Sequence, residues 1–183
     1  MTSTDHLMSV SAFGGEVARI ERAARATLPL VSATVHALFP TGAYLVVNPA
    51  STFDESGLYL DSVRDAEGRV LRDFTDDGLM AEPLGEAPPE LAALWGDLDP
   101  RVPHDVERLL DRLAARVSSK LIDFLPEEAM REGEANRREQ TPLGLRLAPA
   151  GAPRCAACFR LLAEHTGMCE RAGTLTSTHP QKH

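Results

Sequence analysis

The chain has 183 residues, of which 43% are hydrophobic, and its formal net charge is −8. This length and apolar content suit one domain with a hydrophobic core and at most a very small second unit. The negative charge argues against a general binder of nucleic acid or anionic membranes, because such proteins carry positive surfaces. Only Lys120 and Lys182 are lysines, a bias that favours a GC-rich, bacterial source.

The sequence predicts a cytoplasmic protein. No apolar stretch is long enough to span a bilayer, and residues 1–13 lack the basic start and apolar segment of a signal peptide. We therefore expect residues 1–13 to be a flexible N-terminal arm. In the cytoplasm the three cysteines would stay reduced.

The first predicted helix covers residues 16–39, with Gly14 and Gly15 at its start. Pro29 removes a backbone donor and crowds the preceding turn, so we expect a kink or two abutting helices near Thr27. The apolar side chains recur at steps of three and four, which puts them on one face that can cover a sheet. They are Val17, Ile20, Ala24, Leu28, Val31, Val35 and Leu38.

Three short strands are predicted after this helix. Residues 43–47, AYLVV, form a continuous apolar run between turn residues, which is typical of a strand covered on both faces. Residues 58–74 predict a hairpin, because Asp65 can hydrogen-bond the backbone two residues on and Gly68 can take a positive φ. This order predicts an antiparallel sheet with residues 43–47 at or near its centre.

The second half of the chain predicts helices and an edge strand. Pro88 and Pro89 can open a short helix that carries the only tryptophan, Trp95, as a plug at the edge of the core. A long amphipathic helix is expected at residues 104–125. The alternating residues 143–147 could add an edge strand.

Together these elements predict an α+β fold, in which two long helices cover a small antiparallel sheet of about three to four strands. We expect the domain to span residues 14–148 and a linker to span residues 149–153. Residues 126–140 are dense in charge, which is typical of a solvated helix or a disordered segment. The C-terminal segment, residues 154–183, is too short for its own core, so we expect it to be flexible or stapled by zinc.

The main candidate chemical site is a thiol cluster in the C-terminal segment, formed by Cys155, Cys158, His165 and Cys169. Their spacing is C-x2-C-x6-H-x3-C. Four such donors suit a tetrahedral zinc ion, and His165 and Cys169 would share one face of a helix. However, the central spacer is too short for a ββα finger and does not match the usual zinc knuckle.

Two other interpretations of the thiol cluster stay open. The cysteines could belong to the apolar stripe of an ordinary helix over residues 155–165, because a reduced cysteine behaves as a small hydrophobe. Alternatively, Cys155 and Cys158 could cycle between dithiol and disulfide in a small redox enzyme. A linker rather than a core strand precedes them, which disfavours a thioredoxin-like context.

A second cluster consists of carboxylates, and we interpret it as a solvated acidic turn rather than a Ca²⁺ or Mg²⁺ site. Its spacing lacks the alternating ligands and the late glutamate of an EF-hand loop. The sequence also contains no nucleophile motif, phosphate-binding loop or dinucleotide fingerprint. The carboxylates are Asp73, Asp76, Asp77, Asp97 and Asp99.

The sequence therefore favours a non-catalytic cytoplasmic binding or regulatory accessory protein over an enzyme. Its expected partner is a protein or a small ligand, and the net charge disfavours nucleic acid. A homodimer could form through the helix at residues 104–125. The alternatives are a zinc-binding interaction module that uses the thiol cluster and a small thiol-redox enzyme.

Overall fold

The computed structural model divides the chain into two compact units, residues 1–150 and residues 151–183. The boundary between the units falls within the predicted linker at residues 149–153. The residues that the structure describes are 9–49, 57–74, 83–114, 143–155 and 161–164.

The first unit is built around a four-stranded antiparallel sheet with the strand order β3-β2-β1-β4. The predicted α+β class, the central position of β1 and the added edge strand β4 are therefore confirmed. The strands are β1 (Tyr44–Pro49), β2 (Leu58–Arg64), β3 (Val70–Asp73) and β4 (Leu143–Arg146).

In the described part of the chain, three α-helices accompany the sheet: α1 (Val10–Leu38), α2 (Pro89–Ala92) and α3 (Pro103–Ala114), with a 3-10 turn at Ala93–Trp95. Trp95 is buried in the core, which confirms its predicted role as a plug. Residues 115–125 of the second predicted long helix lie outside the described residues. One shared core joins side chains of the helices and the sheet, among them Leu28, Val31, Val35, Leu45, Val47, Leu60, Val63, Val106 and Leu110.

Helix α1 begins earlier than the sequence predicts. Ser9 is its N-cap, and the Ser9 hydroxyl oxygen accepts a 3.1 Å hydrogen bond from the Ala12 amide. The interpretation of Gly14 and Gly15 as the helix start was wrong, because the cap at Ser9 starts the helix before them. The helix therefore takes in residues 10–13, which were predicted to be part of the arm.

Helix α1 also runs through Pro29 as one element, so the alternative of two abutting helices was wrong. Leu28 and Val31, on either side of the proline, pack in the same core. This shared burial holds the helix together across the hydrogen bond that proline cannot make.

The turn between β2 and β3 forms as predicted. Asp65 Oδ1 accepts hydrogen bonds from the amides of Glu67 at 3.0 Å and Arg69 at 2.8 Å, and Gly68 has a φ of 82°. Burial would raise the pKa of Asp65, but the hydrogen bonds from the amide and the guanidinium of Arg69 outweigh it and lower that pKa.

Carboxylates of α3 take the place of a strand beside part of β2. Among the described residues, β3 pairs with β2 only from Ser62 onward, so the earlier part of β2 has no described strand on the side away from β1. Glu107 Oε1 accepts a 2.9 Å hydrogen bond from the Leu60 amide, and Asp111 Oδ1 accepts one from the Leu58 amide. Helix α3 therefore packs on the core and also satisfies a sheet edge.

Candidate functional site

Of the four predicted zinc ligands, only Cys155 is among the described residues. It is half-buried in the second unit and directly follows Arg154, which forms an isolated bridge with Leu161. The zinc, helix and redox interpretations therefore stay predictions. The other three donors lie outside the described residues, and they are Cys158, His165 and Cys169.

The described carboxylates of the acidic cluster include two that face arginine. Asp97 Oδ1 lies 3.8 Å from Arg112 Nη1, and Asp99 Oδ2 accepts a 2.7 Å hydrogen bond from Arg101 Nη2. The Arg101 hydrogen bonds lower the pKa of Asp99, so this carboxylate is ionised beside a protein cation. Among the described residues, no three His, Cys, Asp or Glu side chains converge as a metal site, and residues 76–77 lie outside them.

A bulge in β2 creates a polar cluster that we call the Asp61 network. Between paired positions β2 carries one residue more than β1, and Asp61 is that residue. Its Oδ1 accepts a hydrogen bond from Asn48 Nδ2 and its Oδ2 accepts one from Ser62 Oγ, both at 2.9 Å. Arg64 Nε donates to Ser62 Oγ at 3.0 Å. The only sequence signal is the break in apolar alternation after Leu60.

Most of the Asp61 network is buried, although the Asp61 side chain itself is 18% exposed. Ser62 is 1% exposed, and Asn48 and Arg64 are also buried. The Ser62 hydroxyl donates to one charged neighbour and accepts from the other, so it is not poised as a nucleophile. A largely buried network of this kind helps to fix the strand register.

A surface cleft of about 510 Å³ lies beside α2 and the loop before α3. Asp99 engages the guanidinium of Arg101, the one basic group of the described lining, through both carboxylate oxygens. The described lining contains no serine, cysteine or histidine. It is lined by Glu86, Ala87, Ala92, Leu98, Asp99, Pro100 and Arg101.

The amino-terminal half of α1 carries three exposed apolar side chains, which we call the α1 stripe. Val10 is 89% exposed, Phe13 61% and Val17 44%. Their spacing puts them on one helix face, and farther along the helix this face is buried at Ala24 and Leu28. At 1.5 Å per residue, Val10 lies about 21 Å from Ala24. The apolar face of α1 therefore continues well beyond the part of the helix that packs in the core.

Ion pairs within α1 flank the α1 stripe. Arg19 donates to both carboxylate oxygens of Glu16, at 2.9 and 2.6 Å, and Arg25 donates to Glu21. The hydrogen bond from Arg19 lowers the pKa of Glu16. The acidic rim of the stripe is therefore neutralised by neighbouring cations and does not repel a second polypeptide.

Neither the family models, nor the curated proteins, nor the solved structures compared with the chain give a match. Over the described part of the chain, none of the helices has both the length and the apolar character that crossing a membrane requires.

Proposed function

We propose that the protein is a non-catalytic accessory protein that binds another polypeptide through the α1 stripe. The main support is the exposure of Val10, Phe13 and Val17 on a helix face that packs in the core farther along α1. Apolar anchors at helical spacing are typical of helices that dock on a partner. A partner that covers them removes apolar surface from water, at about 25 cal/mol per Å².

The compensated charges beside the stripe support a polypeptide partner. The Glu16–Arg19 and Glu21–Arg25 pairs leave an apolar centre with a polar rim, which is the usual anatomy of a protein interface. The protein would work in a bacterial cytoplasm. The rarity of lysine favours a bacterial source, and the three cysteines would stay reduced in the cytoplasm.

Photo-crosslinking in cells that make the protein tests this proposal. A photoreactive amino acid is placed at position 13, and position 94 serves as the matched control because Leu94 is 66% exposed on a different element. We expect one dominant polypeptide adduct from position 13 that position 94 does not give. The same adduct from both positions, or none from position 13, contradicts the proposal.

The zinc-binding interaction module is a second proposal, and the small thiol-redox enzyme is a third. Both rest on the spacing of Cys155, Cys158, His165 and Cys169 in the sequence, all of which belong to the unit at residues 151–183. A unit of this size has little apolar surface to bury, so a metal would supply much of its folding free energy.

A further inference from the structure

We infer that the amino-terminal end of α1 is a helix–coil switch with its hinge at Gly14 and Gly15. In the long form, which the structure shows, the helix starts after Ser9. In the short form the helix starts after Gly15, and residues 10–15 are unwound. The two forms exchange in the free protein, and only the long form completes the α1 stripe.

The glycine pair lies inside α1 without a packing reason. A Cβ built on Gly14 or on Gly15 meets no atom of the described residues within 4 Å, and neither glycine has a positive φ. In a helix interior each glycine disfavours the helical state by about four- to fivefold relative to alanine, and the pair therefore by about twentyfold. The long form carries this penalty, whereas the short form leaves both glycines outside the helix.

Tertiary packing does not offset that penalty. Burial along α1 begins at Ala24, and residues 10–23 are exposed or half-buried. Local propensity adds little, because valine, serine and phenylalanine in the segment VSAF at residues 10–13 are weak helix formers. The first turns of α1 therefore depend on the Ser9 cap and on the hydrogen bonds of an exposed helix end, which are marginal in water.

The sequence also provides a second helix start at the glycine pair. Glycine is a favourable N-cap residue, and Gly15 is followed directly by Glu16. A carboxylate in the first turn stabilises a helix through the helix dipole. The first turn of the long form, residues 10–13, contains no acidic residue. The short form therefore gains a charge–dipole interaction that the start of the long form lacks.

The switch controls the binding surface. Val10 and Phe13 lie before the glycine pair and Val17 lies after it, so the three anchors share one helix face only in the long form. Docking on the α1 stripe therefore selects the long form, and the population of the short form weakens the apparent affinity. This consequence rests on the proposed function, whereas the switch itself is a property of the free chain.

Hydrogen exchange of the free, full chain tests the switch. In the long form the amides of residues 14–19 donate to the carbonyls of residues 10–15, and in the short form they lose these acceptors. We expect protection factors of less than about ten at residues 14–19, and at least about threefold higher values at residues 20–23. Equal protection of the two groups overturns the inference, because neither group is buried.

Matched alanine and glycine variants locate the hinge. Gly14→Ala together with Gly15→Ala should raise the protection of residues 14–19 by about tenfold, because both changes favour the helix interior. Ala26→Gly makes the reverse exchange at an exposed position beside the packed half of α1, and it should leave these amides unchanged. No rise in the double variant, or a comparable change with Ala26→Gly, overturns the inference.

The cap that starts the long form gives a further test. In the background of the two alanines, Ser9→Ala should lower the protection of residues 14–19 by about fivefold, because it removes the N-cap hydrogen bond. The amides of residues 20–23 should not respond. Unchanged protection of residues 14–19 contradicts a long form that starts at Ser9.

The switch and the proposed function can fail separately. The exchange measurements need only the free chain, whereas the photo-crosslink from position 13 reports the partner. Low protection of residues 14–19 without an adduct supports the switch and contradicts the partner. An adduct together with equal protection of residues 14–19 and 20–23 supports the partner and overturns the switch.

Discussion

The indole Nε1 of Trp95 donates a 3.0 Å hydrogen bond to the hydroxyl oxygen of Thr34, and both residues are buried. The same hydroxyl donates to the Leu30 carbonyl of α1 at 2.8 Å. One threonine thus satisfies the polar atom of a core tryptophan and a carbonyl of its own helix. This contact fastens the turn after α2 to α1.

We predict that Thr34→Val lowers the free energy of unfolding by about 1–3 kcal/mol, because it leaves the Trp95 N–H buried without an acceptor. Urea unfolding measures the change. The double variant Thr34→Val with Trp95→Phe should lose less stability than the sum of the two single variants. The double variant has no indole N–H, so no buried donor is left without an acceptor. Strict additivity of the two losses would show that the hydrogen bond contributes nothing.

The carboxylates of α3 that accept amides of β2 give a second prediction. Glu107→Ala and Asp111→Ala should each lower the free energy of unfolding by about 1 kcal/mol. They should also speed hydrogen exchange at the Leu60 and Leu58 amides. Glu107→Gln should cost less, because its amide oxygen can still accept the bond from Leu60.

Arg108→Ala is the control for this series, because Arg108 is exposed on the same helix and pairs with Asp105. We expect its effect to stay within about 0.5 kcal/mol. If Glu107→Ala leaves the exchange of the Leu60 amide unchanged, the helix does not protect the strand edge in solution.

The turn at Asp65 predicts a pH dependence of stability. Hydrogen bonds from Arg69 hold the pKa of Asp65 below its ordinary value of 3.8, against the effect of burial. The folded state therefore binds this proton less readily than the unfolded state. The stability that the ionised Asp65 carboxylate contributes is fully present above its ordinary pKa. It is lost as the pH falls through the pKa of Asp65 in the folded state.

Asp65→Asn removes this titration but keeps an oxygen that can accept the turn amides. We expect the variant to be less stable than the wild type at neutral pH, and the difference to shrink as the pH falls below about 3.8. Urea unfolding at neutral and at acidic pH measures both. A difference that stays constant across that range would show that the Asp65 carboxylate is not preferentially ionised in the folded state.

Metal analysis of the purified protein tests the zinc proposal. A zinc site formed by the thiol cluster should hold about one equivalent of zinc. Cys158→Ser should remove most of it, and Met168→Leu in the same segment should not. Less than about half an equivalent, unchanged by Cys158→Ser, contradicts a four-donor site.

Alkylation tests the thiol-redox proposal. A redox-active Cys155–Cys158 pair should react with iodoacetamide well below the pH at which an ordinary cysteine reacts. An ordinary pH profile for both cysteines contradicts the proposal.

Patterns among residues close in sequence were enough to predict most of the fold. The turn at Asp65 and Gly68 depends on residues a few positions apart, and it forms as predicted. The apolar face of α1 from Ala24 onward also followed from spacing alone. The contacts from Glu107 and Asp111 join positions 47 and 53 residues apart, so a reading of neighbouring residues cannot find them. The Asp61 bulge likewise depends on which strand lies opposite.

The candidate binding surface shows where periodicity misleads. Val17 belongs to the apolar set that was expected to cover the sheet, and that expectation was wrong for this residue because it is 44% exposed. The spacing of apolar residues defines a helix face, but it does not show how much of that face the rest of the domain covers. The length of α1 beyond the core is set by the Ser9 cap, not by its packing.

The carboxylates that α3 places on β2 bear on the order of folding. Until α3 docks, the Leu58 and Leu60 amides form a bare strand edge that can pair with another molecule and start aggregation. Strands β1 to β3 can pair before α3 is present, because α3 follows them in the chain, whereas β4 follows α3. We therefore expect a polypeptide that ends before Glu107 to aggregate more readily than the full chain.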